Sequence, residues 1–343
     1  MITVALDGRG ADRGPEVIVA GARAAAADGI AVRVFGRADE LAGLADIDGI
    51  EVIPADEEIR NDEEPVAAVR SKDGASVVMA ARDVAEGASG ALASAGSTGA
   101  TMTAALFALR RQHGVRRPAL ALQLSVPHRD GPPTLLLDVG ANTDARSGDL
   151  VQFAYLGAAF SEAVLGVERP RVALLSVGEE QKKGSQEVVD AHEALAGGGG
   201  LDFVGNLEGR DLLVGAADVI VTDGFTGNVA LKTIEGTASA VAGAVRSAAR
   251  SGPVAAVGGL LLRPALGGLR RQMDPDNTGG AILLGLRGVA VVGHGSSGPE
   301  GIANAIRLAA RAVSERSVER TGELLERSGA TRAALRDEKM TSA

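Results

Sequence analysis

Short, nearly unbroken apolar runs alternate along the chain with longer Ala-rich stretches. The short runs Ile2–Leu6, Ala31–Phe35, Leu92–Ala95, Ala119–Leu124, Thr134–Leu137, Arg171–Ser176, Phe203–Gly205, Val219–Thr222 and Val289–Val292 predict strands. Few of them alternate polar with apolar, so both faces of each strand must be covered, as in a parallel sheet with crossover helices. Gly148–Gly166, Gly184–Ala196 and Asn228–Ser251 read as helices, and shorter ones follow at Thr101–Arg111 and Ile302–Val313. The pattern predicts an α/β fold, a mostly parallel sheet flanked by helices, with residues 1–316 as one large domain that allows two lobes and a cleft. Residues 317–343 read as a charged tail whose end, Asp337–Ala343, frays.

Turns rich in Gly, Asn, Asp and Ser/Thr follow nearly every strand. In an open parallel sheet such turns line one edge, where ligands bind. Asp7–Pro15 carries four glycine or proline positions before a helix but lacks the G-x-G-x-x-G spacing of a dinucleotide loop. Ser94-Ala95-Gly96-Ser97-Thr98-Gly99-Ala100 leads into a helix, where small hydroxyl residues either cap the helix or hold a phosphate. Leu137-Asp138-Val139-Gly140-Ala141-Asn142-Thr143-Asp144 gathers two carboxylates and an amide, as a binding turn or as Asx-type capping. Ser176–Ser185 sets Lys182 and Lys183 beside a helix start, and Val221–Asn228 combines an acid, hydroxyls, an amide and two glycines. His294 sits among glycines in Gly293–Gly298.

Composition narrows the chemistry. With no cysteine there is no disulfide, no thiolate metal ligand and no enzyme thioester on the path of any acyl transfer. The histidines His113, His128, His192 and His294 show no metal-type spacing, so no metal is expected. A formal net charge of −9 opposes nucleic-acid binding, and an acidic partner must be met by a local basic patch. No apolar run approaches the ~18 residues of a spanning helix, and the cytoplasm is the expected compartment. With aromatics at 2%, the core must be built from Ala, Val, Leu and Ile.

The motifs LDGRGADRGP, SAGSTGA, RPALAL, LLDVGANTD, LVQFAYLG, PRVALLSVGEE with KGS, NLEGRD, VTDGFTGNVALKT, GAILLGL and HGSS occur in one order from Leu6 to about Ala310. In these the chain resembles the acyl-ACP:phosphate acyltransferases, the PlsX family of bacterial phospholipid synthesis. It departs from that pattern at Ser97 (usually Asn), Ala11 (Gly), Val292 (Lys nearby) and Gly279-Gly280 (Asn-Gly). The resemblance implies a fold like isopropylmalate dehydrogenase and phosphate acetyltransferase, a homodimer, no cofactor and loose contact with the inner membrane face. It implies that an acyl group passes from acyl carrier protein to inorganic phosphate, feeding a glycerol-3-phosphate acyltransferase. An acyl-CoA-dependent phosphate acyltransferase, a nicotinamide-dependent dehydrogenase on the related fold, and a non-catalytic carrier-protein or phosphate binder are the alternatives.

For that reaction, phosphate is expected at Gly96, Ser97, Thr98 and Gly99, together with Asp144 and the turn Asp223, Gly224, Thr226, Gly227 and Asn228. Asn142 would orient the carbonyl or phosphate, Lys183 supply positive charge, Asp223 orient donors and His294 protonate the departing sulfur. Arg110, Arg111, Arg116 and Arg117, with His113, form one candidate carrier-protein dock; Arg246, Arg250, Arg263, Arg270 and Arg271 form another. The apolar stretch Pro253–Leu269, within a helical hairpin at about 245–275, reads as a membrane-contact segment or as a dimer interface.

Overall fold

The computed structural model describes residues 1–127, 131–272, 275–331 and 333. His128, the side chains of Arg270 and Arg271, and the segment Asp337–Ala343 lie outside the described residues. The chain runs β1 (Thr3–Asp7), α1 (Pro15–Ala27), β2 (Ala31–Gly36), β3 (Ile50–Pro54), α2 (Pro65–Ser71), α3 (Ser76–Ala85), β4 (Ala91–Ser94) and α4 (Thr98–Leu109). It continues through β5 (Ala119–Leu124), β6 (Thr134–Leu137), α5 (Ser147–Phe160), β7 (Arg171–Leu175), α6 (Gln186–Gly197), β8 (Asp202–Leu207) and β9 (Val219–Val221). The last part is α7 (Gly224–Ala248), α8 (Pro253–Gln272), β10 (Ala281–Leu284), β11 (Val289–Val292), α9 (Pro299–Ser314) and α10 (Ser317–Arg327).

One 11-stranded sheet has the order β3-β2-β1-β4-β11-β10-β5-β6-β9-β7-β8. Its central strands are buried on both faces, which is why they read as continuous apolar runs. Val4 and Leu6 pack into one layer and Ala5 into the other; Leu135 and Leu137 share the first, Leu136 the second. The first layer contains α1, α5 and α9, through Ile18, Phe153 and Ile306. The second contains α3 and α4, through Val77 and Leu109. Helix α5 is buried along nearly its whole length, with Phe153 and Phe160 fully buried.

The sheet is not uniformly parallel, and this corrects the single rim expected from sequence. Strands β3, β2, β1, β4 and β11 run in one sense. Three antiparallel pairings follow, β11 with β10, β10 with β5 and β5 with β6, so β6, β9, β7 and β8 run in the opposite sense. The polar turns therefore fall into two sets. One follows β1, β4 and β11; the other follows β6, β9 and β7.

Two strands escaped the sequence reading. In β3 the apolar residues alternate with Glu51 and the strand lies at the sheet edge, while β10 is only Ala281–Leu284 between glycines. The charged stretch after residue 316 also begins differently from expectation. Ser317, Thr321 and Leu325 repeat every four residues, bury one face of α10, and tie it to the core. Among the described residues no helix is long and apolar enough to cross a membrane.

Candidate active site

The best-organised polar region lies where β6 and β9 end side by side. Asp138 follows β6, is fully buried, and accepts five hydrogen bonds. Its Oδ1 takes N–H groups from Leu120 (3.0 Å), Gly140 (3.1 Å) and Ala141 (2.9 Å). Its Oδ2 takes the backbone N–H (2.7 Å) and side-chain Nδ2 (2.8 Å) of Asn142. Gly140 has φ 142°, a backbone that a residue with a Cβ rarely adopts, so glycine is what lets the turn curl around the carboxylate. Burial pushes the Asp138 carboxyl above the usual carboxylate range, against the hydrogen bonds from Ala141, Asn142, Leu120 and Gly140.

The turn after β9 is locked onto this one. Asp223 caps α7, accepting from Thr226 N at 2.8 Å and Thr226 Oγ1 at 2.7 Å. Gly224 N donates to Asn142 O at 2.7 Å, and Asn228 Nδ2 donates to Val139 O at 3.1 Å. A Cβ at Gly227 would lie 1.9 Å from Asp138 O, so only glycine permits the first turn of α7 to sit this close. Thr226 and Asn228 remain exposed on that turn. Strand β7 is the next neighbour of β9, and the turn after it carries exposed Lys183. Ser176 Oγ donates to Lys183 O at 2.9 Å. Behind the turn, Asn206 Nδ2 donates to Glu180 O at 3.0 Å, which leaves Asn206 Oδ1 to accept from His192 Nδ1 at 2.9 Å.

The second set of turns has its own centre. Asp7 is buried and accepts from Ser76 Oγ (2.6 Å), Ser94 Oγ (2.7 Å) and Arg9 N (3.2 Å). Burial raises its pKa, with those bonds acting in the other direction. Ser97 caps α4, its Oγ accepting from Ala100 N at 3.4 Å. His294 is exposed, and its Nδ1 accepts from Ser296 N at 3.2 Å, so the neutral ring carries its proton on Nε2.

Basic residues border the first set. Arg117 Nη1 donates to Asp144 O at 2.6 Å, and Arg110 and Arg111 are exposed nearby in the chain. Arg116 differs from them. Its Nε donates at 2.8 Å to Asp149, a carboxylate 2% exposed in the first turn of α5. Among the described residues there is no cluster of His, Asp and Glu arranged to hold a metal ion.

The model of a family described as fatty acid synthesis protein matches residues 2–320. A phosphate acyltransferase from Heliobacterium modesticaldum is 44% identical over 319 residues, covering 91% of this chain and 94% of its own. Another from Anoxybacillus flavithermus is 45% identical over 313 residues, covering 90% and 94%. The chain belongs to the phosphate acyltransferase family. Among solved structures, a phosphotransacetylase from Streptococcus pyogenes aligns with a TM-score of 0.59 over 92% of this chain and 94% of that one. At 17% identity that likeness shows a shared fold.

Within this family member, the residues singled out from sequence divide between the two sets of strands. Asn142, Asp144, Lys183, Asp223, Gly224, Thr226, Gly227 and Asn228 follow β6, β7 and β9, whereas Gly96, Ser97, Thr98, Gly99 and His294 follow β4 and β11. Asn142 occupies a different post from the one expected. Both its amide hydrogens are spent, on Asp138 Oδ2 and on Pro118 O at 2.8 Å. A flipped amide would set its oxygen against two acceptors, so the assignment follows from the chemistry. Arg116 likewise serves a buried acid more than an open surface. Sequence reading included Asp138 in its motif without giving it a task. The available signal was an acid directly after the apolar run Leu135–Leu137, with glycine two residues on.

Proposed function

We infer that this chain transfers a fatty acyl group from acyl carrier protein to inorganic phosphate, giving acyl phosphate and free carrier protein. The observation that carries the reading is the interlock of the Asp138–Asp144 turn with the first turn of α7, beside exposed arginines, in a member of the phosphate acyltransferase family. Phosphate is assigned to the start of α7, where the positive end of a 25-residue helix favours an anion and Phe225 N–H is the first-turn donor, Gly224 N being given to Asn142 O and Thr226 N to Asp223. Thr226 and Asn228 flank it, and Lys183 adds charge from the neighbouring turn. Inorganic phosphate is present in large part as the dianion at neutral pH and attacks the thioester carbonyl without a strong base. Positioning and oxyanion stabilisation then carry most of the rate. Asp223 holds the helix start, and Asn142 holds the turn, in place of touching substrate. Gly96–Gly99 and His294 follow strands of the opposite sense and have no step in this reading, so the departing thiolate takes its proton from solvent.

Arg110, Arg111 and Arg117 are the dock for the acidic carrier protein. The α7–α8 hairpin supports a homodimer contact or a peripheral membrane contact on the cytoplasmic side. Val254 is 87% and Leu261 76% exposed there, with Arg246, Arg250 and Arg263 alongside. The acyl phosphate then serves a glycerol-3-phosphate acyltransferase. The test compares acyl carrier protein and coenzyme A thioesters of one chain length as donors, trapping acyl phosphate with hydroxylamine. A higher kcat/KM with the carrier protein is expected; a clear preference for coenzyme A overturns the donor assignment.

A further inference from the structure

We propose that Asp138 is a positioning residue for acyl transfer: its carboxylate is an internal anion around which the Asn142 turn is cast, and the start of α7 is seated on that turn. The proposal rests on placing phosphate at the start of α7. No other described carboxylate joins so many elements of the candidate site. Asp138 gathers the N–H of Leu120 from β5, three successive N–H groups of its own turn, and the Asn142 side chain. Its backbone N–H donates to Thr222 O at 3.0 Å, joining β6 to the residue just before Asp223. Two glycines of α7 rest directly on it. A Cβ at Gly224 would come within 2.8 Å of Asp138 Oδ2, and one at Gly227 within 1.9 Å of Asp138 O.

This arrangement separates two tasks that look alike in sequence. The N–H groups of the Gly140–Asn142 turn point at Asp138 and are not donors for a substrate anion. The turn contributes shape, and the helix start that it supports contributes its positive end and the Phe225 N–H. Both Asp138 oxygens meet at least two N–H groups each. An asparagine amide therefore cannot fit either way round, since its NH2 faces donors in both orientations. The same change removes a charge buried at 0% exposure, which relieves desolvation and offsets part of the lost hydrogen bonding. Activity and stability should thus part company, which a merely structural acid would not produce.

The experiment measures kcat, KM for phosphate, KM for acyl carrier protein and thermal unfolding for wild type, Asp138→Asn and Asn142→Ala. Asp138→Asn is expected to lower kcat by tenfold or more, to raise KM for phosphate, and to leave KM for the carrier protein unchanged, with the unfolding midpoint within a few degrees of wild type. Asn142→Ala removes one of the five donors and is expected to show the same split with a smaller loss. Wild-type kcat in a folded Asp138→Asn protein overturns the proposal, as does a loss of activity that only tracks a fall in stability. If Asp138→Asn does not fold, Asn142→Ala decides by the same criteria. Absence of acyl phosphate from the wild-type protein would instead remove the function itself, so the two failures are distinguishable.

Discussion

Replacing Gly227 by alanine probes the seat of α7 with a single methyl group. The added Cβ would lie 1.9 Å from Asp138 O and 2.9 Å from Thr222 Cγ2. An ordinary carbon–oxygen contact is about 3.4 Å, so the helix start must retreat by about 1.5 Å or Asp138 must give way. Asp138 is held by β5, by its own turn and by Thr222, so the helix yields first. Overpacking of this kind costs about 1–3 kcal/mol. A displacement near 1 Å at a positioned group lowers turnover on the order of 100-fold. Gly236→Ala on the same helix is the control, because a Cβ there meets nothing within 4 Å; it should retain activity and gain up to about 1 kcal/mol from helix propensity. The assay is hydroxamate trapping of acyl phosphate, with thermal unfolding followed by circular dichroism. Wild-type turnover in Gly227→Ala would refute the idea that the start of α7 must sit on Asp138.

Asp7 is buried with a raised pKa, so the folded state binds its proton more tightly than the unfolded state does. Its destabilising effect is absent below the unfolded value and grows as pH rises through the folded one; the unfolding midpoint of Asp7→Asn minus that of wild type should therefore be larger at mildly alkaline than at acidic pH, and a constant difference would contradict this. Reversing Arg110 and Arg111 to Glu should raise KM for acyl carrier protein severalfold at low salt with kcat unchanged, as loss of rim charge predicts; an unchanged KM removes that dock. Arg116→Ala should instead destabilise the fold by about 1–3 kcal/mol, because buried Asp149 loses its 2.8 Å ion pair and keeps only Arg117 at 3.9 Å; an unfolding curve matching wild type would show that Arg117 suffices for Asp149. Leu261→Glu, at a position 76% exposed, should reduce flotation with anionic liposomes while the unfolding midpoint holds; equal flotation excludes lipid contact at this face.

The parallel strands were legible because burial on both faces makes them unbroken apolar runs, as at Leu135–Leu137. Edge strand β3 was hidden by its alternation, and β10 by its length. The reversal of strand sense at β10 and β5 left no local trace. Both are short apolar segments whose direction is set by pairing partners far away in sequence, so two sets of turns looked like one rim. The contact between the GANTD and DGFTGN turns agrees with their shared place after neighbouring strands β6 and β9. What sequence could not convey was direction of hydrogen bonding. Asn142 and Asp138 both look like substrate contacts until their donors and acceptors are counted, and Arg116 looks like Arg117 until its distance to buried Asp149 is seen, 2.8 Å against 3.9 Å.

The most direct test of phosphate acyl transfer is the balance of products. Purified protein is mixed with acyl carrier protein thioester and inorganic phosphate, and acyl hydroxamate after trapping is counted against newly exposed carrier thiol. Direct attack by phosphate predicts equal amounts of the two and no thiol release when phosphate is withheld. Thiol release without phosphate, or without matching acyl phosphate, would contradict it.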